Sequence, residues 1–546
     1  MPALPSSFPE VQVQGFTLQQ KIGQMLMFGW QGSTDEENFT MCEHARILIE
    51  DFHVGGLCLF GRNVQSPEQV AKMINEMQSR AEIPLLISVD QEGGMVARFK
   101  SPFAVFPGNM ALGATGSVDY ARRAAEAIGK QLSAVGVNMN LAPSVDVNIN
   151  PDNPIIGVRS FGESPEMVGE MGSAAIGGYQ SVGILACAKH FPGHGDTSTD
   201  THHALPMIPY DRERLESVEL VPFRAAAEAG VAAIMSTHII FPALDETHPA
   251  TLSEKILKGL LRDEIGYDGI VTTDCLEMKA IADNYSIDEI AVLAVNAGAD
   301  ILLSSHTLDF QVKLRDALIR AVESGAISEA RIDQSVERIL AAKRKYNLAS
   351  KCAVDVDAVR KVVGSPEILA LEREIAESSI TIVRNQDGVI PLETDARACI
   401  AVIGMHPATE RFASAFAEVS PSTRSMKMDV APTGEQLAEM DALVKDSSAV
   451  VIVTFPKEPW TRGLVDEDAQ TAVVDRIFDS GVPAIIIAAR EPYALRRYPK
   501  ARTSLATYGY TDASIHAADD VILGLAGPQG RLPVTIPGYA ERGDSA

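Results

Sequence analysis

The chain has little of what marks several classes of protein. No apolar run approaches the roughly 18 to 20 residues that a membrane-spanning helix needs, and no Lys/Arg run offsets the formal charge of -25 over 546 residues. Such an acidic chain repels phosphate backbones and anionic lipid surfaces. We therefore expect neither nucleic-acid binding nor membrane association.

Motifs for common cofactors are also missing. The six cysteines show no C-x-x-C spacing, which argues against a zinc cluster or a dense disulfide framework. The stretch VIGMHP lacks the G-x-G-x-x-G fingerprint, and neither a P-loop nor a G-x-S-x-G elbow occurs. The opening MPALPSSFPEVQVQ has no positive and then apolar region typical of a secretory signal. We expect an intracellular, cytoplasmic protein that requires no cofactor.

Short apolar or β-branched runs alternate with longer amphipathic stretches from about residue 17 to 345. This pattern is typical of repeated βα units around a parallel sheet. Eight such runs occur, the number that closes a (β/α)8 barrel. The predicted strands are 25–30, 55–60, 84–90, 136–143, 183–190, 232–238, 268–274 and 299–305.

The remainder of the chain predicts a second domain. Residues 326 to 375 are rich in helix formers and charge, and five further strand candidates follow with helical patterns between them. We expect an αβα sandwich at this end. The predicted divisions are a catalytic barrel over 1–345, a helical connector over 346–378 and a sandwich domain over 379–546.

Polar residues gather where the predicted barrel strands end. Asp90, Lys189, His190, His238 and Asp274 each occupy one of the last two positions of a run. Strands also end in polar residues simply because they reach solvent, but five coincidences weaken that explanation. Because a barrel places its active site at the carboxyl ends of its strands, the pattern predicts catalysis there.

The segment 189–206, KHFPGHGDTSTDTHHALP, holds four of the eleven histidines. Its proline and glycines predict a loop. Three interpretations are open: a polar loop with satisfied histidines, a metal site, or a catalytic pair. The metal interpretation is disfavoured because HExxH spacing is absent and His202 and His203 are adjacent. In an extended segment Asp200 and His202 project to the same side, so the carboxylate can orient the imidazole for proton transfer.

That loop, together with SVDQEGGMVARF (88–99), PIIGVRSFG (154–162) and GIVTTDCLEMKAI (269–281), resembles the β-N-acetylglucosaminidase branch of glycoside hydrolase family three. The resemblance spans the whole barrel. The ending GPQGRLPVTIPGY (527–539) is more weakly similar to the αβα sandwich of two-domain members.

The resemblance implies a pocket at the open, carboxyl end of the barrel that binds one terminal sugar. Asp274 would be the nucleophile, and His202 the acid/base with Asp200 as its partner. The residues implied in sugar binding are Asp90, Arg98, Arg159, Lys189 and His190. Taken alone, Asp274 would also suit the N-cap of a following helix, Arg159 a surface ion pair and Asp90 a solvated strand end.

The predicted function is therefore that of a retaining exo-acting β-N-acetylglucosaminidase, which works through a covalent glycosyl-enzyme on oligosaccharides or glycoconjugates that contain N-acetylglucosamine. One rival is a phosphorylase, because a histidine that has given up its proton does not repel phosphate as a carboxylate would. Another rival is a catalytically silent sugar-binding protein.

Overall fold

The structure is a computed structural model. It describes residues 13–197, 205–351, 353–392, 399–457 and 463–546. Within these ranges, no helix combines the length and the apolar character needed to cross a lipid bilayer.

The first half of the chain forms a closed barrel of eight parallel strands, in the order β1-β10-β9-β8-β7-β6-β3-β2. Two further short strands, β4 and β5, pair as an antiparallel hairpin directly after β3. The strands in chain order are β1 Leu26–Phe28, β2 Gly56–Leu59, β3 Leu86–Val89, β4 Gln91–Gly93, β5 Val96–Ala97, β6 Met139–Asn140, β7 Leu185–Phe191, β8 Ala233–Ser236, β9 Ile270–Cys275 and β10 Ile301–Ser304.

The predicted barrel is confirmed, and each of its eight strands coincides with a predicted run. Strands β7 and β9 extend one residue beyond those runs. Strand β6 pairs over only two residues, Met139 and Asn140, with its neighbours β3 and β7. The ends of β3 and β7 are therefore separated by a very short strand, and long side chains can reach across it.

Helices coat the outside of the barrel and connect it to the second domain. Several begin with strong caps: Ser66 and Gln69 form a capping box at α4 with Pro67 as its first residue, and Ser286 and Glu289 form one at α11. The helices are α1 Leu18–Gln24, α2 Asp35–Asn38, α3 Glu43–Arg46, α4 Pro67–Arg80, α5 Asn109–Thr115, α6 Val118–Ala134, α7 Pro165–Ser181, α8 Arg212–Ser217, α9 Val221–Glu228, α10 Lys279–Ala282, α11 Ile287–Ala297, α12 Leu308–Glu323, α13 Glu329–Lys345 and α14 Pro366–Ser379, with π-helices at Ile47–Asp51 and Lys255–Glu264.

The second domain contains a six-stranded sheet in the order β11-β16-β15-β14-β12-β13. Only the β11–β16 pair is antiparallel. Helices α14, α15 and α18 pack together, as do α16 and α17. The elements are β11 Thr381–Asn385, β12 Ile400–Gly404, α15 Ala408–Val419, β13 Arg424–Lys427, α16 Gly434–Lys445, β14 Ala449–Thr454, α17 Glu467–Asp479, β15 Ala484–Ala488, β16 Thr503–Ala506 and α18 Asp512–Ile522.

The expected sandwich is confirmed with one omission. Edge strand β13 was not predicted, because its sequence RSMK is largely exposed and has no apolar run.

The barrel and the second domain also share a boundary that the sequence periodicity did not reveal. Met110, Ala111 and Ala114 of α5, together with Val158, belong to the hydrophobic core of the second domain. The loops that follow β3 and β6 thus bring the second domain against the barrel mouth.

Candidate active site

One cavity of about 380 Å³ lies at the carboxyl ends of the barrel strands. This volume falls in the range of roughly 300 to 1,000 Å³ that is typical of small-molecule sites. Its polar wall comes from residues at or after β3, β5, β6, β7, β9 and β10, and one residue, Arg490, is contributed by the second domain. The charged and imidazole side chains that line the cavity are Asp90, Arg98, Arg159, Lys189, His190, His194, Asp274, Glu277, Lys279, His306 and Arg490.

An ion network joins the ends of β3 and β7 across the short strand β6. The Lys189 ammonium lies 2.8 Å from Asp90 Oδ1 and 2.7 Å from Glu92 Oε1. Arg159 completes the network from the following loop, with Nη2 2.8 Å from Glu92 Oε1 and Nε 3.1 Å from Oε2. Arg98 Nη2 is 3.5 Å from Asp90 Oδ2. Four residues implied in sugar binding are therefore brought together, and Glu92 connects two of them.

Burial and the neighbouring charges shift the pKa values of this network in opposite directions, and the combined effect of the charges is the larger. Burial alone raises the pKa of Glu92, but Arg159 and Lys189 hold it well below its usual range. The pKa of Asp90 is likewise lowered, because Lys189 and Arg98 outweigh its burial. Burial disfavours the charged form of Lys189, yet Asp90 and Glu92 raise its pKa. All three groups are therefore charged at neutral pH, and they present a fixed electric field to any ligand in the cavity.

Local backbone geometry places Glu92 in this network. The β4–β5 hairpin turns through Gly93 and Gly94, whose φ angles are 95° and 54°. A Cβ at Gly94 would lie 2.8 Å from the carbonyl oxygen of Pro107, so the left-handed turn can be made only without a side chain. The hairpin returns the chain at once and leaves the Glu92 carboxylate beside Lys189.

A second buried carboxylate organises His190. Asp146 Oδ2 lies 2.7 Å from His190 Nδ1, and its other oxygen accepts the backbone N–H of His194 at 2.7 Å. The Ser144 hydroxyl also donates to Asp146, at 2.9 Å. His190 Nε2 lies 3.4 Å from Arg159 Nη2, which can only donate. Asp146 therefore favours the tautomer that carries the proton on Nδ1.

Asp274 is the penultimate residue of β9, and it lines the cavity. Its Oδ1 accepts the backbone N–H of Cys275 at 2.7 Å. Three residues later Glu277 accepts the backbone N–H groups of Ser305 and His306 at 2.7 and 2.8 Å. These bonds hold the loop after β10 against the end of β9, so Asp274 stands on a supported strand end.

The remaining predictions divide into two groups. His238 lies close to the site but does not line the cavity: its ring nitrogens bond Thr251 Oγ1 at 2.8 Å and the carbonyl oxygen of Cys275 at 3.0 Å. It supports the end of β9 from behind. Asp200 and His202 lie outside the described residues, which resume at residue 205. Among the residues that are described, no group of three or more His, Cys, Asp or Glu side chains could hold a metal ion.

Sequence reasoning missed Glu92, Asp146, Glu277 and Arg490. Two of them carried a usable signal, because Glu92 is two residues after Asp90 and Arg490 closely follows an apolar run. Nothing in the sequence pairs Asp146 with His190, since 44 residues separate them. His194 was present in the quoted loop, and its burial lowers its pKa to about 4, so its ring is neutral at physiological pH.

A barrel that gathers paired carboxylates, a lysine and arginines around one sugar-sized cavity has the architecture of a glycoside hydrolase. Residues 17–342 match the glycosyl hydrolase family 3 N terminal domain, and residues 380–545 match the C-terminal domain of the same family. The chain therefore belongs to glycosyl hydrolase family 3, and the predicted resemblance is confirmed.

Several known proteins are similar over nearly the whole chain. Beta-hexosaminidase A of Pseudoalteromonas piscicida is 33% identical, covering 95% of this chain and 97% of its own length. The beta-N-acetylglucosaminidase/beta-glucosidase of Cellulomonas fimi is 29% identical over 90% of each chain. The solved family 3 beta-N-acetylglucosaminidase from Paenibacillus sp. str. FPU-7 is 41% identical with a TM-score of 0.87, covering 95% of this chain and 99% of that one.

Proposed function

We propose that this glycoside hydrolase removes a terminal β-linked N-acetylglucosamine with retention of configuration, with Asp274 as its nucleophile. The observation that carries the assignment is the position of Asp274: it is the penultimate residue of β9 and lines the same cavity as the ion-paired Asp90 and Lys189. The substrate class follows from the relatives, several of which are named as enzymes acting on N-acetylglucosaminides or hexosaminides.

We assign the sugar subsite to the fixed network at the ends of β3 and β7. Asp90 is partly open to the cavity, with 18% of its side chain exposed, whereas Lys189 and Glu92 are almost completely buried. Asp90 and Arg98 therefore offer hydrogen bonds to sugar hydroxyls, and Lys189, Glu92 and Arg159 hold them in place. Because these groups are already paired, they need to rearrange little when a substrate binds, and little free energy is lost to that rearrangement.

The proposed reaction is a double displacement. An Asp274 oxygen attacks the anomeric carbon while His202 gives its proton to the departing glycosidic oxygen, which leaves as the alcohol. His202, now neutral, then takes a proton from water, whose oxygen displaces Asp274 from the same carbon. Asp200 would hold the imidazole in the right tautomer and stabilise its cationic form. In this proposal the barrel domain predicted over 1–345 supplies the catalytic residues.

Trapping the intermediate tests the nucleophile. A fluorinated sugar with a good leaving group should accumulate a covalent adduct on the peptide that contains Asp274, detectable by mass spectrometry. An adduct on another carboxylate would contradict the assignment. Product analysis by NMR should show free sugar of retained configuration with or without phosphate, whereas a sugar 1-phosphate would identify a phosphorylase.

The acid/base role of His202 has its own test. A nitrophenolate leaves without much protonation, so His202→Ala should slow the first step modestly with a nitrophenyl substrate and severely with a disaccharide. The second step lacks its base in both cases, so an initial burst of nitrophenol should appear. Azide, which needs no deprotonation, should restore turnover. Equal slowing of both substrates without azide rescue would reduce His202 to a positioning residue.

A further inference from the structure

The second domain contacts the barrel loop that carries Arg159 on both sides of that residue. Before it, the backbone N–H of Val158 donates to Glu491 Oε1 at 3.2 Å, and the Val158 side chain lies in the hydrophobic core of the second domain. After it, the Glu163 carboxylate accepts the backbone N–H and the hydroxyl of Thr535 at 2.7 and 2.9 Å. Contacts with the second domain therefore flank a side chain of the barrel cavity.

The position of this loop decides where the Arg159 guanidinium lies. Residues Gly157–Arg159 form one turn of 3-10 helix, and the Asn109 amide donates to the carbonyl oxygen of Arg159 at 2.7 Å. The guanidinium pairs with Glu92 through both Nε and Nη2. A planar guanidinium needs a defined orientation to form such a two-point pair. A shift of the backbone at residues 157–159 would therefore disturb the ion network beside the cavity.

Glu491 packs closely against the turn before Arg159. A Cβ at Gly157 would lie 2.8 Å from Glu491 Oε2 and still closer to Oε1, so this approach requires glycine. The Glu491 side chain is only 8% exposed, and its Oε2 makes no hydrogen bond within the described part of the chain. Burial raises the pKa of Glu491 in spite of the neighbouring Arg490, which favours the neutral acid. A buried polar atom without a partner costs stability, so the position that Glu491 imposes on Val158 explains it better than stability does.

We propose that Glu491 is a positioning residue for Arg159: it fixes Val158 from across the domain boundary, while Glu163 and Thr535 fix the other end of the same segment. The inference rests on the proposed function, in which Arg159 and Glu92 hold the sugar subsite in place. It makes the affinity for the sugar depend on the docking of the second domain. Because the subsite binds the sugar before and during the reaction alike, the loss of Glu491 should appear in binding rather than in turnover.

The test is Glu491→Ala, assayed with a nitrophenyl N-acetylglucosaminide. We expect KM, and the Kd for N-acetylglucosamine measured by calorimetry, to rise about fivefold or more, while kcat changes by less than about twofold. Partial unfolding would instead lower kcat and leave KM unchanged, so a merely structural role is separable. Glu491→Gln should keep nearly wild-type values, because its amide oxygen can accept the same N–H of Val158.

Arg123→Met is the matched control. It breaks ion pairs with Asp119 and with Glu374, and the latter joins helix α6 to helix α14 rather than to the loop, so KM, Kd and kcat should stay unchanged.

A double variant shows whether Glu491 acts through Arg159. Arg159→Lys cannot form the two-point pair with Glu92, so adding Glu491→Ala to it should weaken sugar binding little further. Additive losses, a fall in kcat at constant KM, an equal loss in Glu491→Gln, or no change in Glu491→Ala would overturn the role of Glu491. Failure of the proposed function is distinguishable, because the wild type itself would then neither hydrolyse nor bind N-acetylglucosaminides.

Discussion

The chain contains an all-parallel barrel and a mostly parallel second sheet, and the carboxyl ends of their parallel strands are used differently. The barrel edge collects charged side chains that pair with one another, such as Asp90, Lys189 and Glu92. The sandwich edge is mostly aromatic: the ring of His406 stacks on Phe455 at 4.0 Å, and Tyr510 packs edge-on against both. Carboxyl edges are where parallel sheets bind ligands, yet in this chain one edge forms the site and the other closes it.

Docking contacts explain the role of the sandwich edge. The backbone N–H of Val158 donates to Glu491 Oε1 at 3.2 Å, and the Asn148 amide donates to the Tyr493 hydroxyl at 2.9 Å. Between these contacts Arg490 reaches the cavity wall. In the proposed assignment the barrel supplies the catalytic residues, whereas among the described residues the second domain adds a wall and the cation of Arg490. Four substitutions test this division.

The largest effect is expected at the barrel edge. Asp274→Asn should lower kcat and kcat/KM alike by about 10³-fold or more, because the interaction it removes forms only in the transition state. Folding should be unaffected, because Asp274 lies at the cavity rather than in the core. Asp268→Asn, at the opposite end of the same barrel segment and 86% exposed, is the control. Near-normal turnover of Asp274→Asn would show that Asp274 is not the nucleophile.

The ion network should give the next largest effect. Glu92→Gln leaves Arg159 without its carboxylate and should cost about 3 kcal/mol of unfolding free energy in urea, together with a raised KM. The folded-state pKa of Glu92 is lowered, so its contribution is present above the unfolded pKa of about 4.3 and is lost as pH falls. The difference between wild type and variant should therefore shrink in acid.

Glu166→Gln provides the control for this network, because Glu166 is an exposed acid on helix α7. It should change neither the stability nor the KM. Equal stability of Glu92→Gln and wild type at neutral pH would show that the network contributes nothing to the subsite.

Arg490→Met measures what the second domain adds to the cavity. Arg490 lines the cavity from the second domain, so we expect a loss of about three- to tenfold in kcat/KM, measured with a disaccharide. Arg497→Met, which disturbs ion pairs with Glu467 and Asp468 on the same domain, should have no effect. A loss as large as that of Asp274→Asn would refute the division of labour between the two edges.

The smallest effect on activity is expected away from both edges, at Asp519 of α18. Burial raises its pKa well above the usual range, and in the described part of the chain neither carboxylate oxygen has a hydrogen-bond partner. Because the folded state binds this proton more tightly, stability is lost as pH rises above the unfolded pKa of about 3.9. Asp519→Asn should therefore stabilise the second domain by about 2 kcal/mol at pH 7 and by little near pH 4.

Urea unfolding of Asp519→Asn at the two pH values checks this; Asp520→Asn, which removes a neighbouring charge that helps to raise the pKa of Asp519, should give a smaller effect of the same sign. Activity should be unchanged in both variants. A stabilisation that grew as pH fell would have the wrong sign and would rule out a buried protonated Asp519.

Much of the fold and part of the site could be predicted because their signals are local. Apolar runs identified all eight barrel strands, and the strand-end rule brought Asp90, Lys189, His190 and Asp274 to one cavity. The same expectation wrongly included His238 among the residues of the cavity. A position at a strand end does not distinguish a side chain that enters the cavity from one that supports its wall. Edge strand β13 was missed because it is largely exposed and its sequence has no apolar run.

The sequence by itself determined which segments form the eight barrel strands, the two-domain layout and the residue types available at each barrel strand end, because periodicity and turn chemistry act over a few residues. Tertiary structure alone decided the partners. Lys189 reaches Asp90 across the two-residue strand β6, Arg490 enters from the other domain, and Arg214 joins Asp196 to Glu219. These pairings depend on barrel closure and domain docking, which set distances between residues that are far apart in the chain.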